Sequence, residues 1–145
     1  MAGGVEIAMD TLTPSERSAR MARVRSKDTK PEWTVRRIVH RLGFRYRLHD
    51  GRLPGRPDMV FPSRRKVIFV HGCFWHRHGS RCVLTRLPKS KLEFWRPKLE
   101  QNHRRDRKNV GLLRAAGWDV LVVWECELQD ATSLADRVTG FLEAA

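Results

Sequence analysis

Residues 66–71, KVIFVH, are apolar at both alternating positions over VIFV, as in a strand covered on both faces. One such strand requires layers on each side of a sheet, and 145 residues supply a core for one domain. DVLVVWE (119–125) has the same character and reads, like it, as a central strand covered on both faces. Shorter strands are expected at FRYRL (44–48) and DMVF (58–61), joined through GRLPGRP, whose proline and glycine set a turn. A basic helix is expected over about residues 14–25. A second follows DTKPE, with Thr29 and Glu32 at capping-box spacing, and stops at Gly43. A long helical region, with Ser90 and Glu93 able to cap its first turn, is interrupted or restarted at Pro97 and ends at Gly117. A last amphipathic helix begins near Ser133, whose spacing to Asp136 suits a capping box. This order fits an α/β sandwich with a small central mixed sheet flanked by helices. Residues 1–12 read as a flexible N-terminus and 13–145 as a single domain.

Charge narrows the partner. The net charge is +13, and residues 15–47 hold eleven Lys and Arg against Glu16, Asp28 and Glu32. Residues 125–145 hold five acids and only Arg137. Such asymmetry suits a polyanion, whose condensed counterions are released when Lys and Arg meet phosphates. The plainer reading is a solvated basic surface, and charge alone does not separate DNA from RNA. No apolar run is long enough for a membrane span, and MAGGVEIAMD lacks the pattern of a signal peptide, so a cytoplasmic location is expected. Three cysteines, Cys73, Cys82 and Cys126, point to metal binding or free thiols rather than a disulfide framework.

Several residues sit where chemistry would need them. Glu32 lies three residues before Val35 and seven before Val39, on the apolar stripe of its helix. It caps the helix or stands at the edge of an active site. Asp106 is seven residues from both Leu99 and Leu113, so it faces inward. A carboxylate there requires a partner: a surface pairing with Arg104, Arg105 or Arg107, or a cationic or hydrogen-bonding group beneath the helix, such as a histidine from the sheet. Asp58, after Pro57 at a strand start, reads as a turn residue or as a ligand for a hard cation. Cys73, His78 and Cys82 are close enough to fold around one ion, with Cys126 completing a tetrahedral set; otherwise the three cysteines are ordinary buried thiols. His71 continues the strand face of Val67 and Phe69. With His76 it lies outside the cage, free for acid–base work or for a satisfied place in the core.

Taken together, SKDTKPE, LPGRPDMVFP, VIFVHGCFWHRH, EFW and VVWEC closely resemble the very-short-patch repair endonuclease family (Vsr), from about Arg17 to Cys126. The resemblance implies a restriction-endonuclease-like core with a structural Zn²⁺ site. It also implies an Mg²⁺-dependent endonuclease that nicks one DNA strand directly 5′ of the thymine in a T:G mismatch, the product of 5-methylcytosine deamination. By position, Asp58 holds Mg²⁺, His76 is the general base, His71 and Asp106 are its supporting pair, and Glu32 is a further member of the site. The Zn²⁺ ligands are Cys73, His78, Cys82 and Cys126. Phe74, Trp75 and Trp95 enter the DNA stack, with Met21 a further candidate. Implied partners are double-stranded DNA bearing the mismatch, a cytosine-5 DNA methyltransferase, and a repair polymerase and ligase. The enzyme would be a monomer, since a single asymmetric lesion needs no twofold symmetry.

The sequence departs from the pattern twice. Where related nucleases carry an acid-x-Lys motif on the next strand, this chain reads Phe69-Val70-His71. The Val70 carbonyl, waters and the scissile phosphate would then complete the Mg²⁺ shell. HRHGSRC is also longer than the HxC form of the cage, which leaves His76 and His78 exchangeable between roles. Two rival readings are a zinc-stabilised DNA-binding module without catalysis and a related nickase with another DNA substrate.

Overall fold

The computed structural model describes residues 29–78, 82 and 91–144. The N-terminal segment 1–12, the helix expected over 14–25 and Met21 lie outside them.

Helix α1 spans Lys30–Arg41, with Thr29 accepting a hydrogen bond from the Glu32 N–H at 3.3 Å. Gly43, at φ +98°, turns the chain away after Leu42. Only half of the expected capping box forms. The Glu32 carboxylate does not return to the helix start but turns inward, where it is 2% exposed. It meets Arg36 one turn on, a stronger partner than a solvated N-terminus.

Four strands follow among the described residues: β1 (Arg47–Leu48), β2 (Met59–Phe61), β3 (Lys66–His71) and β4 (Asp119–Trp124). Their order is β1-β2-β3-β4; the first two pairings are antiparallel and β3–β4 is parallel. The sheet is therefore small and mixed, as expected. Two expectations need correction. β1 is two residues rather than five, and both are exposed. Among the described strands β4 is an edge and not a centre. Its double-sided apolar pattern arises because helices cover both faces, with Leu121 and Val123 in one core and Val120 and Val122 packed on the other.

On one face Met59, Phe61 and Ile68 pack against Val35 and Val39 of α1 and against Leu134, Val138 and Leu142 of the last helix. On the other, Val60, Val67 and Phe69 meet Leu113. Leu113 belongs to α3 (Leu92–Ala115), which follows the single turn α2 (Cys73–His76). Helix α3 runs unbroken through Pro97. The missing N–H costs one backbone bond, while buried Trp95 and Leu99 anchor the helix on both sides of it. Helix α4 (Ala131–Glu143) is capped by Asp130 and not by Ser133: the Asp130 carboxylate accepts from the Ser133 N–H at 3.1 Å and Oγ at 2.9 Å.

Candidate active site and metal centre

Among the described residues, three clusters gather around the C-terminal end of β3, each with its ligand-type atoms within 4.8 Å of one another: Glu32, His49 and Asp58; His71, His76 and Asp106; and Cys73, His78, Cys82 and Cys126. Every candidate catalytic or metal-site side chain from the sequence falls into one of them.

The first cluster is built across β2 and β3. Asp58 precedes β2, and its Oδ2 accepts a 2.6 Å hydrogen bond from the Val70 N–H. Burial pushes the Asp58 carboxyl up to about 7, against the Val70 N–H, which favours the ionised form; neighbouring Glu32 raises it further. His49 was missed by sequence reasoning. It sits in the left-handed region at φ 48°, and its Nε2 lies 2.6 Å from Glu32 Oε2. A lone histidine before a turn carries no periodic signal, and only this backbone twist brings it to the carboxylates.

The second cluster occupies the opposite face. His71 continues the Val67–Phe69 face of β3, and α3 lies over it. The imidazole of His76, at the end of α2, donates through Nδ1 to Asp106 Oδ2. The expected inward placement of Asp106 is therefore met, but by a histidine of the short turn rather than of the sheet. His71 stacks flat on His76, with ring centroids 3.9 Å apart. Burial, then the adjacent His76 ring, pushes His71 down to about 3, so it is neutral near pH 7. Its buried Nδ1 has no hydrogen-bond partner among the described residues. Beside the pair opens a cleft of about 340 Å³, lined also by His103, Arg107, Arg114 and Trp124. Its walls offer positive charge to an anionic ligand.

The third cluster joins α2 to the end of β4. His78, rather than His76, faces the sulfurs: its Nδ1 lies 3.6 Å from Cys73 Sγ and 3.4 Å from Cys126 Sγ. The His78 ring also stacks on Trp124 at 4.2 Å. Burial pushes the Cys73 thiol up to about 12 and raises Cys126 as well, so a bound cation is needed for these sulfurs to ionise. Tetrahedral coordination at Zn–S and Zn–N bond lengths separates sulfur and nitrogen by about 3.6 Å. The donor spacing suits such an ion.

The aromatic candidates cluster with one another. Phe74 lies 5.0 Å from Trp75 and 5.7 Å from Trp95, ring centre to ring centre. Trp95 is only 7% exposed, so in this state it backs the other two rings. Sequence reasoning also missed the residues that hold this turn. Asn102 and His103 of α3 donate to the carbonyls of Trp75 and His76 at 3.4 and 3.3 Å, and Glu125 accepts from the Cys73 N–H at 3.3 Å.

Residues 9–82 match the family model for the DNA mismatch endonuclease Vsr. The chain is 52% identical over 134 residues to the type II nicking enzyme V.XorIIP of Xanthomonas oryzae, covering 92% of this chain and 97% of that protein. It is 43% identical over 129 residues to the type II nicking enzyme V.NmeAIP of Neisseria meningitidis, covering 89% and 91%. With the DNA mismatch endonuclease Vsr of Escherichia coli it shares 40% identity over 128 residues, covering 88% and 81%.

Proposed function

This chain belongs to the Vsr family of DNA mismatch endonucleases, and we propose that it nicks one strand of duplex DNA directly 5′ of the thymine in a T:G mismatch. The observation that carries the reading is the His76–Asp106 hydrogen bond across β3 from two acids, buried Glu32 and half-buried Asp58. Two adjacent residues of β3 link the halves: the Val70 N–H holds Asp58, and the His71 ring stacks on His76.

Asp106 accepts the Nδ1 proton of His76, which leaves Nε2 with its lone pair to take a proton from the attacking water. As His76 becomes charged, the Asp106 carboxylate stabilises it. Neutral His71 fixes the plane of the His76 ring and adds no competing positive charge. Asp58 and Glu32, with the Val70 carbonyl, would hold Mg²⁺; their oxygen chemistry suits a hard cation. When bound, Mg²⁺ would supply charge neutralisation at the phosphoryl group. Cys73, His78, Cys82 and Cys126 would hold Zn²⁺ and fix the turn that carries both His76 and the aromatics.

Phe74 and Trp75 would wedge into the base stack, with Trp95 bracing them or following them in. Unstacking costs a few kcal/mol per step, and a T:G wobble pair is weaker than a matched pair, so the wedge enters there more cheaply. Basic residues outside and inside the described region would grip the backbone. The protein would act as a single-domain, restriction-endonuclease-like monomer inside the cell, beside a cytosine-5 methyltransferase and a repair polymerase and ligase.

The test is nicking of T:G and matched T:A duplexes across varied flanking bases. Nicks 5′ of the mismatched thymine alone support the reading. Equal nicking of matched duplexes points to a nickase with another substrate, and tight binding without nicking points to a DNA-binding module.

A further inference from the structure

The contacts of His49 disagree about one proton. Its Nε2 lies 2.8 Å from the Arg36 Nη2 and 2.6 Å from Glu32 Oε2. A guanidinium only donates and a carboxylate only accepts, so no single tautomer of His49 satisfies both contacts, and the geometry itself is the observation: Nε2 faces the Glu32 carboxylate and the Arg36 guanidinium together. Nε2 and Oε2 converge within 2.6 Å, where both can serve one shared cation. Arg36 is that cation here, bonded also to Glu32. Asp58 completes the group, with all three ligand atoms within 4.8 Å. The backbone fixes this placement: the His49 N–H points to the Asp58 carbonyl at 3.4 Å, and φ 48° turns the ring inward.

We infer that His49 is a nitrogen ligand of the catalytic divalent cation, and that it makes this site favour Mn²⁺ over Mg²⁺ more than an all-oxygen site would. The inference rests on the proposed nuclease reading for the word catalytic, and on geometry for the site. Adjacent donors on an octahedral ion at about 2.1 Å lie about 3 Å apart, so Glu32 and His49 need part by only a few tenths of an ångström. Two carboxylates against Arg36 leave one net negative charge. A divalent ion reverses it to one positive, which a single phosphodiester anion cancels. Imidazole nitrogen suits the later first-row ions, whereas Mg²⁺ keeps oxygen ligands and waters.

The experiment uses the full chain with one equivalent of Zn²⁺ supplied and Mn²⁺ as the probe. Electron spin-echo envelope modulation of bound Mn²⁺ should show ¹⁴N coupling in the wild-type protein, and His49→Gln should abolish it. His76→Gln should leave the coupling in place. Mn²⁺ affinity in His49→Gln should fall by roughly 10-fold, and Mg²⁺ affinity by less. Absence of ¹⁴N coupling in the wild type overturns the inference whatever the variants do. So does coupling that survives His49→Gln or disappears in His76→Gln. None of these readouts uses nicking: coupling without nicking would sink the nuclease reading alone, and Mg²⁺-dependent nicking without coupling would sink this one alone.

Discussion

His76 and Asp106 share a hydrogen bond, so if they are the proposed base and its support, their substitutions should cost rate and not DNA affinity. His76→Ala should lower single-turnover nicking by roughly 10²–10⁴-fold. Asp106→Asn should lower it by about 10²-fold or more, because an amide also accommodates the wrong tautomer of His76. Equal rates in wild type and Asp106→Asn would remove His76 from the role of base. Asp58 carries a cost when no cation is bound. Its carboxyl is raised from 3.8 to about 7 in the folded chain, so between those values the native state holds a proton that the unfolded state has lost. Its contribution to stability is full below about 3.8 and declines as pH rises to about 7. Without added Mg²⁺, Asp58→Asn should therefore raise stability at pH 8 by up to a few kcal/mol and have little effect at pH 4. Urea unfolding at the two pH values reads this directly. At this scale the sequence was partly legible. Asp106 was visible because seven-residue spacing to Leu99 and Leu113 fixes a helix face. His49, Asn102 and His103 were not: each works through a contact made by tertiary folding, with no pattern of its own.

Among the elements, the one-turn helix α2 is too short to hold its shape alone. It is clamped at its start by Glu125, at its carbonyls by Asn102 and His103, and at its end by the His78–cysteine cluster. Cys126→Ser should release bound zinc, lower the melting temperature and abolish nicking, since structural zinc contributes on the order of 10 kcal/mol. Metal analysis should find one zinc per wild-type chain, and retention of full zinc and activity in the variant would exclude the cage. Helix α4 gives a milder test: Asp130→Ala should cost about 1 kcal/mol and Ser133→Ala less, because Asp130 is the cap. Cap chemistry misplaced this helix start because Ser133 and Asp130 both carry N-cap side chains, and only the backbone geometry chooses. Strand β4 was misplaced for a related reason. Apolar residues on both faces report helices above and below, not strands on either side.

For the whole molecule, a net charge of +13 would make the proposed DNA affinity depend on counterion release. The logarithm of the binding constant should fall linearly with the logarithm of salt concentration, with a slope of about −0.9 for each phosphate neutralised. The proposed mismatch preference should change far less, since it would come from the wedge and not from charge. Glycine also joins the layers: Gly55, at φ +78°, brings the loop before Asp58 so close to α3 that an added Cβ would sit 3.1 Å from the Asn109 side chain. This contact ties the carboxylate side of the site to the helix carrying Asp106. The central claim is that the two clusters flanking β3 form one nuclease site. It is tested most directly by measuring binding and single-turnover nicking of a T:G duplex by wild type and Asp58→Asn, each with Mg²⁺ or chelator. The account predicts equal binding, with Mg²⁺-dependent nicking 5′ of the thymine in the wild type and none in the variant. Wild-type nicking rates in Asp58→Asn would contradict it.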